Sequence, residues 1–119
     1  MTKTLLVHLR SGSMMNMDSN LAVKLMSAAL DQGYNVRFFG YGEGITVIKE
    51  GQDPKRFPNV GKELIQLAER GATIVVCETC CAARGIHRGE EVKGSKIGSL
   101  TNDFSKFVAE ADRIVTLAR

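Results

Sequence analysis

The amino-acid sequence predicts an α/β fold, a three-layer α/β/α sandwich around a mostly parallel five-stranded sheet. Three observations carry this. Five short apolar runs alternate with helical segments along all 119 residues. One of the runs, Thr73-Ile74-Val75-Val76, is β-branched with almost no polar break. Such a run suits a central strand covered on both faces. Finally, Gly33, Gly71 and Gly85 stand where helical segments should stop. The length is that of one domain, residues 1–119, large enough to bury a core without disulfide staples.

Taken in order, Thr4-Leu5-Leu6-Val7-His8-Leu9 reads as the first strand, and Arg10 to Asp18 as a loop with Ser11-Gly12-Ser13 turn chemistry. Asp18 or Ser19 is expected to cap the first helix, with Leu21, Leu25, Ala28 and Ala29 as its buried stripe. Asn35 to Gly40 is the second strand. Gly40, Gly42 and Gly44 then turn the chain sharply, and Thr46-Val47-Ile48 reads as a helical turn or an extra strand. Gly51 to Asn59, with both prolines, is a surface loop. A second helix begins near Val60, with Val60, Leu64, Leu67 and Ala68 buried, and stops at Gly71.

Ala72 to Cys77 is the third strand, followed at once by a short helix from Glu78 to Arg84. Lys96-Ile97-Gly98 with Leu100 gives a weak fourth strand. Thr101 is expected to cap a last helix with Phe104, Phe107, Val108 and Ala111 on one face, before a fifth strand over Arg113 to Leu117. In open sheets of this kind chemistry sits beyond the carboxyl ends of the strands. His8 to Asp18, Phe39 to Ile48 and Cys77 to Gly85 should therefore meet.

Composition narrows the class. Hydrophobic residues make up 44%, charged residues 24%, and the net charge is +3. The basic residues are scattered, which gives direct nucleic-acid binding no support. The Leu5-Leu6-Val7 run is too short for a signal-peptide core, and no stretch approaches the ~18 apolar residues of a membrane span. The expected setting is the cytoplasm, where thiols stay reduced.

Cysteines at 77, 80 and 81 close no long loop and so point to chemistry rather than stapling. Cys77 and Cys80 have CxxC spacing at a strand-to-helix turn, where backbone N–H groups favour a thiolate. The plain alternative for Cys77 is a small buried hydrophobe, and Cys81, one position further round the helix, is expected to be packed. Arg84 should add positive potential. His8, at a strand's carboxyl end, is a candidate to tune a thiol or relay a proton, whereas His87 reads as a surface residue. Met14, Met15 and Met17 with the cysteines suggest Cu(I), but loop methionines more often line a pocket or subunit contact. Zinc would need a fourth ligand, so no metal is expected. Gly40-x-Gly42-x-Gly44 lacks the spacing of a dinucleotide fingerprint.

Ile74-Val75-Val76-Cys77 followed by Ala82-Ala83-Arg84-Gly85-Ile86 resembles the DsrE/DsrF-like family, which includes sulfur-relay proteins. Gly33 to Phe39, Gly98 to Phe104 and Glu110 to Val115 extend the likeness over the chain. Cys80 and Cys81 set the sequence apart from single-cysteine relays and resemble a CxxC-bearing branch. The resemblance implies a DsrE-like domain acting as a sulfurtransferase-like persulfide carrier, with no organic cofactor. Sulfane sulfur would be accepted on Cys77 and passed to a partner thiol, Cys80 serving as resolving thiol or as the more exposed acceptor. It also implies donor and acceptor proteins as partners and a homotrimer or homohexamer. For that assembly, Met14, Met15, Met17, Phe38, Phe39 and Tyr41 are the candidate apolar surface. Two rivals stand beside it: a thiol–disulfide redox protein using Cys77 and Cys80, and a non-catalytic oligomeric binding module.

Overall fold

A computed structural model describes residues 2–14 and 16–118. The elements are β1 (Thr4–Leu9), α1 (Asp18–Asp31), β2 (Asn35–Gly40), a 3-10 turn (Gly42–Ile48), α2 (Val60–Glu69), β3 (Thr73–Cys77), α3 (Glu78–Ala83), β4 (Ser95–Gly98), a π turn (Leu100–Phe104), α4 (Ser105–Glu110) and β5 (Arg113–Leu117). The five strands form one sheet in the order β4-β3-β2-β1-β5, and every pairing is parallel.

The order follows from chain direction. From β1 to β2 to β3 the chain steps the same way along the sheet, and right-handed crossovers place α1 and α2 together on one face. The return from β4 to β5 crosses the opposite face, where α4 lies against β1. Alternation then sorts the side chains. His8 and Phe39, level in register, both reach Phe104 on the α4 side. Arg37, two residues before Phe39, meets Glu110 of α4 at 3.7 Å. β3, an interior strand between β4 and β2, is buried from Ile74 to Cys77, as its β-branched run predicts.

Several local expectations need correction. The buried stripe of α1 is Ala22, Val23, Met26 and Ala29, while Leu21 is 53% exposed. Both sets satisfy the helical period. Asp18 begins the helix rather than capping it, and its buried carboxylate accepts a hydrogen bond from Ser11 at 2.7 Å. Of the two readings of Thr46-Val47-Ile48, the helical turn holds: the segment ends the 3-10 turn. The cap before α4 is Ser99, not Thr101. Ser99 Oγ accepts from the Asn102 N–H at 3.0 Å, and the Asp103 carboxylate accepts from the Ser99 N–H at 2.8 Å. This is a reciprocal capping arrangement spread over one extra residue by the π turn. Val108 is 39% exposed, so Phe107, with Phe104 and Ala111 partly buried, carries the inward face.

The connection after β2 is held tight against β1 at Gly44. A Cβ there would lie 2.1 Å from the carbonyl oxygen of Leu9. This close approach brings the 3-10 turn over the ends of the central strands.

Candidate active site around Cys77 and Cys80

The three segments expected to converge do so. The Tyr41 N–H donates to the Leu9 carbonyl at 2.9 Å, which joins the ends of β1 and β2. A Cβ on Gly12 would be 3.7 Å from that of Glu43, so the loop after β1 also touches the 3-10 turn. The 3-10 turn in turn holds α3. The Gly42 N–H donates to Cys80 Sγ at 3.2 Å, and Glu43 pairs with Arg84.

Cys77 is the last residue of β3 and the N-cap of α3, and its sulfur accepts from the Cys80 N–H at 3.5 Å. It is only 3% exposed. Cys80, one turn on, is half-buried and is the more open of the CxxC pair. Cys81 is packed in the core at 1% exposure. All three sulfurs are free thiols.

The electrostatics differ along this short helix. Burial pushes the Cys80 thiol above its ordinary value, and the hydrogen bond and charge of Cys77 add to that. The Gly42 N–H and the Arg84 charge pull the other way without overcoming burial. The depression expected of a thiol at a helix start therefore does not extend to Cys80. Burial, with Cys77 and Cys80 beside it, pushes Cys81 up to about 11, so it is inert at neutral pH.

Arg84 does reach the thiol region, but not as a bare charge. Its Nε and Nη2 both donate to Glu43 Oε1, at 3.0 and 2.5 Å, and its Nη1 donates to the Cys80 carbonyl at 2.9 Å. Glu43 and Gly42 were not singled out by the sequence. The signal for them was the glycine-spaced turn, in which Gly42 adopts φ +60°, a conformation open to glycine at little cost.

His8 lies within an aromatic cluster rather than on a sulfur. Its ring is 4.7 Å from Phe104, 6.4 Å from Phe39 and 6.5 Å from Tyr41. Its Nε2 is buried with no hydrogen-bond partner. Burial, and then the charge of Arg10, lower its pKa and keep the ring neutral. His87 is exposed, and its backbone N–H donates to Glu90.

Among the described residues, no group of three or more His, Cys, Asp or Glu side chains is placed to hold a metal ion. No described helix is long and apolar enough to cross a membrane. Phe38 and Phe39 are core residues, at 1% and 0% exposure, and are not available as the apolar surface expected of them. Met14 and Met17 are exposed at 53% and 59%, while Met15 lies outside the described residues.

Comparison with known proteins fits this geometry. An uncharacterized protein of Methanocaldococcus jannaschii is 35% identical over 95 residues, which cover 80% of this chain and 82% of that one. One from Methanopyrus kandleri is 30% identical over 94 residues, 79% of this chain and 77% of the other. The crystal structure of the YchN protein of E. coli superposes with a TM-score of 0.89 at 24% identity, covering 98% of this chain and all of that one. A protein of unknown function from Methanobacterium thermoautotrophicum shares the fold at a TM-score of 0.72 and 12% identity, over 97% and 99% of the two chains. The model of the DsrE/DsrF-like family matches residues 4–117, and the chain belongs to that family.

Proposed function

We propose that this protein is a persulfide carrier in which the Cys77–Cys80 pair accepts sulfane sulfur and delivers it to a partner thiol. The observation that carries the reading is the placement of two free thiols, one recessed and one half-open, at the carboxyl end of the interior strand β3. Membership of a family that includes sulfur-relay proteins supports it.

The half-open thiol is the point of entry. The Cys80 thiolate attacks the outer sulfur of a donor persulfide, a new S–S bond forms, and the donor leaves as its thiolate. No net oxidation occurs. The Cys77 thiolate then attacks that same outer sulfur, which transfers it to the recessed position and returns Cys80 as a thiolate. Attack by an acceptor thiolate completes the relay. Recession matters because a persulfide open to every thiol would discharge at random, whereas a covered one waits for a partner that fits.

The CxxC spacing supports a second outcome. If the Cys77 thiolate attacks the inner sulfur of a Cys80 persulfide, a Cys77–Cys80 disulfide forms and hydrosulfide leaves. Mass spectrometry after incubation with a sulfane-sulfur donor tests the assignment. A mass gain of one sulfur on the Cys77–Arg84 peptide supports the carrier. A loss of two hydrogens with no sulfur gained replaces it with the redox reading, and an unchanged mass leaves a binding module.

A further inference from the structure

Arg84 makes three hydrogen bonds that tie two elements together: two to Glu43 on the 3-10 turn and one to the Cys80 carbonyl on α3. One residue before Glu43, the Gly42 N–H points at the Cys80 sulfur. We propose that Glu43 is a positioning residue for the Cys80 thiol, anchoring the 3-10 turn on Arg84 so that the Gly42 amide is held against the sulfur. This deepens the reading above and rests on Cys80 being a working thiol.

The pair is poorly placed to serve stability. Glu43 is largely exposed, at 63% for its side chain, and an exposed ion pair contributes little to stability. Its geometric effect is larger. Gly42, at φ +60°, lies in a glycine-spaced turn with no side chain of its own to fix it. A hydrogen bond to an anionic sulfur is lost over a few tenths of an ångström, so the amide needs a tether beside it. Glu43 is that tether. It meets the same helix that carries Cys80, so turn and sulfur move together.

Among the described residues, the groups that act on or flank Cys80 are Cys77 from β3, Cys81 on α3, Arg84 at its C-cap, and Gly42 and Glu43 from the connection after β2, with Glu91 acting on Cys81. Arg10 lies over Tyr41, and Glu78, in the first turn of α3, is already engaged by Arg88. Simple Coulomb reasoning says that removing the Glu43 carboxylate lowers a nearby thiol's pKa. Positioning predicts the reverse for Glu43→Ala, because the amide and the guanidinium both come loose. Glu43→Gln keeps an acceptor oxygen for Arg84 and should keep the geometry.

The test is the rate of Cys80 alkylation by iodoacetamide against pH, assigned to the individual cysteine by fragmenting the Gly71–Arg84 peptide, together with the Gly42 amide proton shift in the same titration. In the unaltered protein and in Glu43→Gln, the Gly42 resonance should follow the Cys80 midpoint. In Glu43→Ala, the midpoint should rise by about one pH unit and the Gly42 resonance should cease to follow it. A midpoint that falls or stays put in Glu43→Ala overturns the proposal. So does alkylation of Cys81 in that variant, which would mean that the pair holds α3 folded rather than aiming one amide. No sulfur donor enters the measurement, so it succeeds or fails separately from sulfur loading.

Discussion

The Gly42 amide sits 3.2 Å from the Cys80 sulfur, across the gap between the connection after β2 and the helix after β3. It is the only backbone group from outside the CxxC segment seen donating to either of its sulfurs among the described residues. It is offset by burial, which wins and keeps the Cys80 thiol above its ordinary range. A thiol so balanced is mostly protonated at neutral pH.

The two cysteines should behave differently on sulfur loading. Cys80→Ser should slow loading at least tenfold, because the remaining thiol at Cys77 is 3% exposed. Cys77→Ser should still load, on Cys80, but should lose the sulfur to added glutathione several times faster than the unaltered protein. Peptide mapping of the persulfide over time checks both. Full loading of Cys80→Ser at the normal rate would reverse the roles assigned here.

The pH dependence follows from the raised thiol. Only the thiolate attacks sulfur, and a raised pKa leaves less of it at neutral pH. The loading rate should therefore keep climbing past the ordinary thiol range, about pH 8.5, before levelling. A plateau already reached at pH 8 would contradict the burial of Cys80.

Cys81 gives a stability prediction with the opposite use of the same physics. Its folded pKa, about 11, lies above that of an unfolded thiol. Its contribution is thus fully present below the unfolded value and is lost as pH rises through the folded one. Thermal melts should show stability falling from about pH 9 upward, and Cys81→Ala should flatten that alkaline fall. An unchanged alkaline slope in the variant would assign the loss to other groups.

Much of this was legible in the sequence, and the parts that were not share a cause. The Ile74-Val75-Val76-Cys77 run marks a strand covered on both faces and its terminal thiol, because such burial leaves a pattern in one segment, although β2 and not β3 is the central strand. The glycine turn was visible as a turn. What it does was not, because the Gly42–Cys80 and Glu43–Arg84 contacts join residues 38 and 41 positions apart. The rotation of α1 was misread for the same reason. Leu21 and Met26 both fit a helical stripe, and which one faces inward depends on how α1 packs against α2, β1 and β2. Phe38 and Phe39 looked like surface beside a turn. Alternation along β2 instead sends one to each covered face of the sheet.

Gly44 offers a test of the scaffold. Any side chain there meets the Leu9 carbonyl at 2.1 Å, and backbone cannot step aside cheaply. Gly44→Ala should cost ~3 kcal/mol or more in urea unfolding, as overpacking against main chain does. Gly12→Ala should stay within about 1 kcal/mol of the unaltered protein, since its new Cβ would meet nothing nearer than 3.6 Å. Equal midpoints for the two variants would show that the turn is not pinned on β1.

Assembly into threes or sixes needs an apolar surface other than Phe38 and Phe39. With Phe38 and Phe39 in the core, the exposed apolar groups among the described residues on and around the loop after β1 include Met14, Met17, Leu21 and Phe57, at 53%, 59%, 53% and 59% exposure. Met14, Met17 and Phe57 line one cavity of about 220 Å³ with Ser13, Asn16 and Asn20. Through Gly12 the same loop touches Glu43, and so borders the thiol site. Contact between copies here would cover flexible thioethers and narrow the approach to Cys80. Light scattering behind size exclusion at micromolar concentration should give three or six times 13.0 kDa. Met17→Glu should lower that mass, because a carboxylate in an apolar contact loses its hydration without gaining a partner. A mass of 13.0 kDa for the unaltered protein would remove assembly from the account and leave the recession of Cys77 to the monomer's own fold.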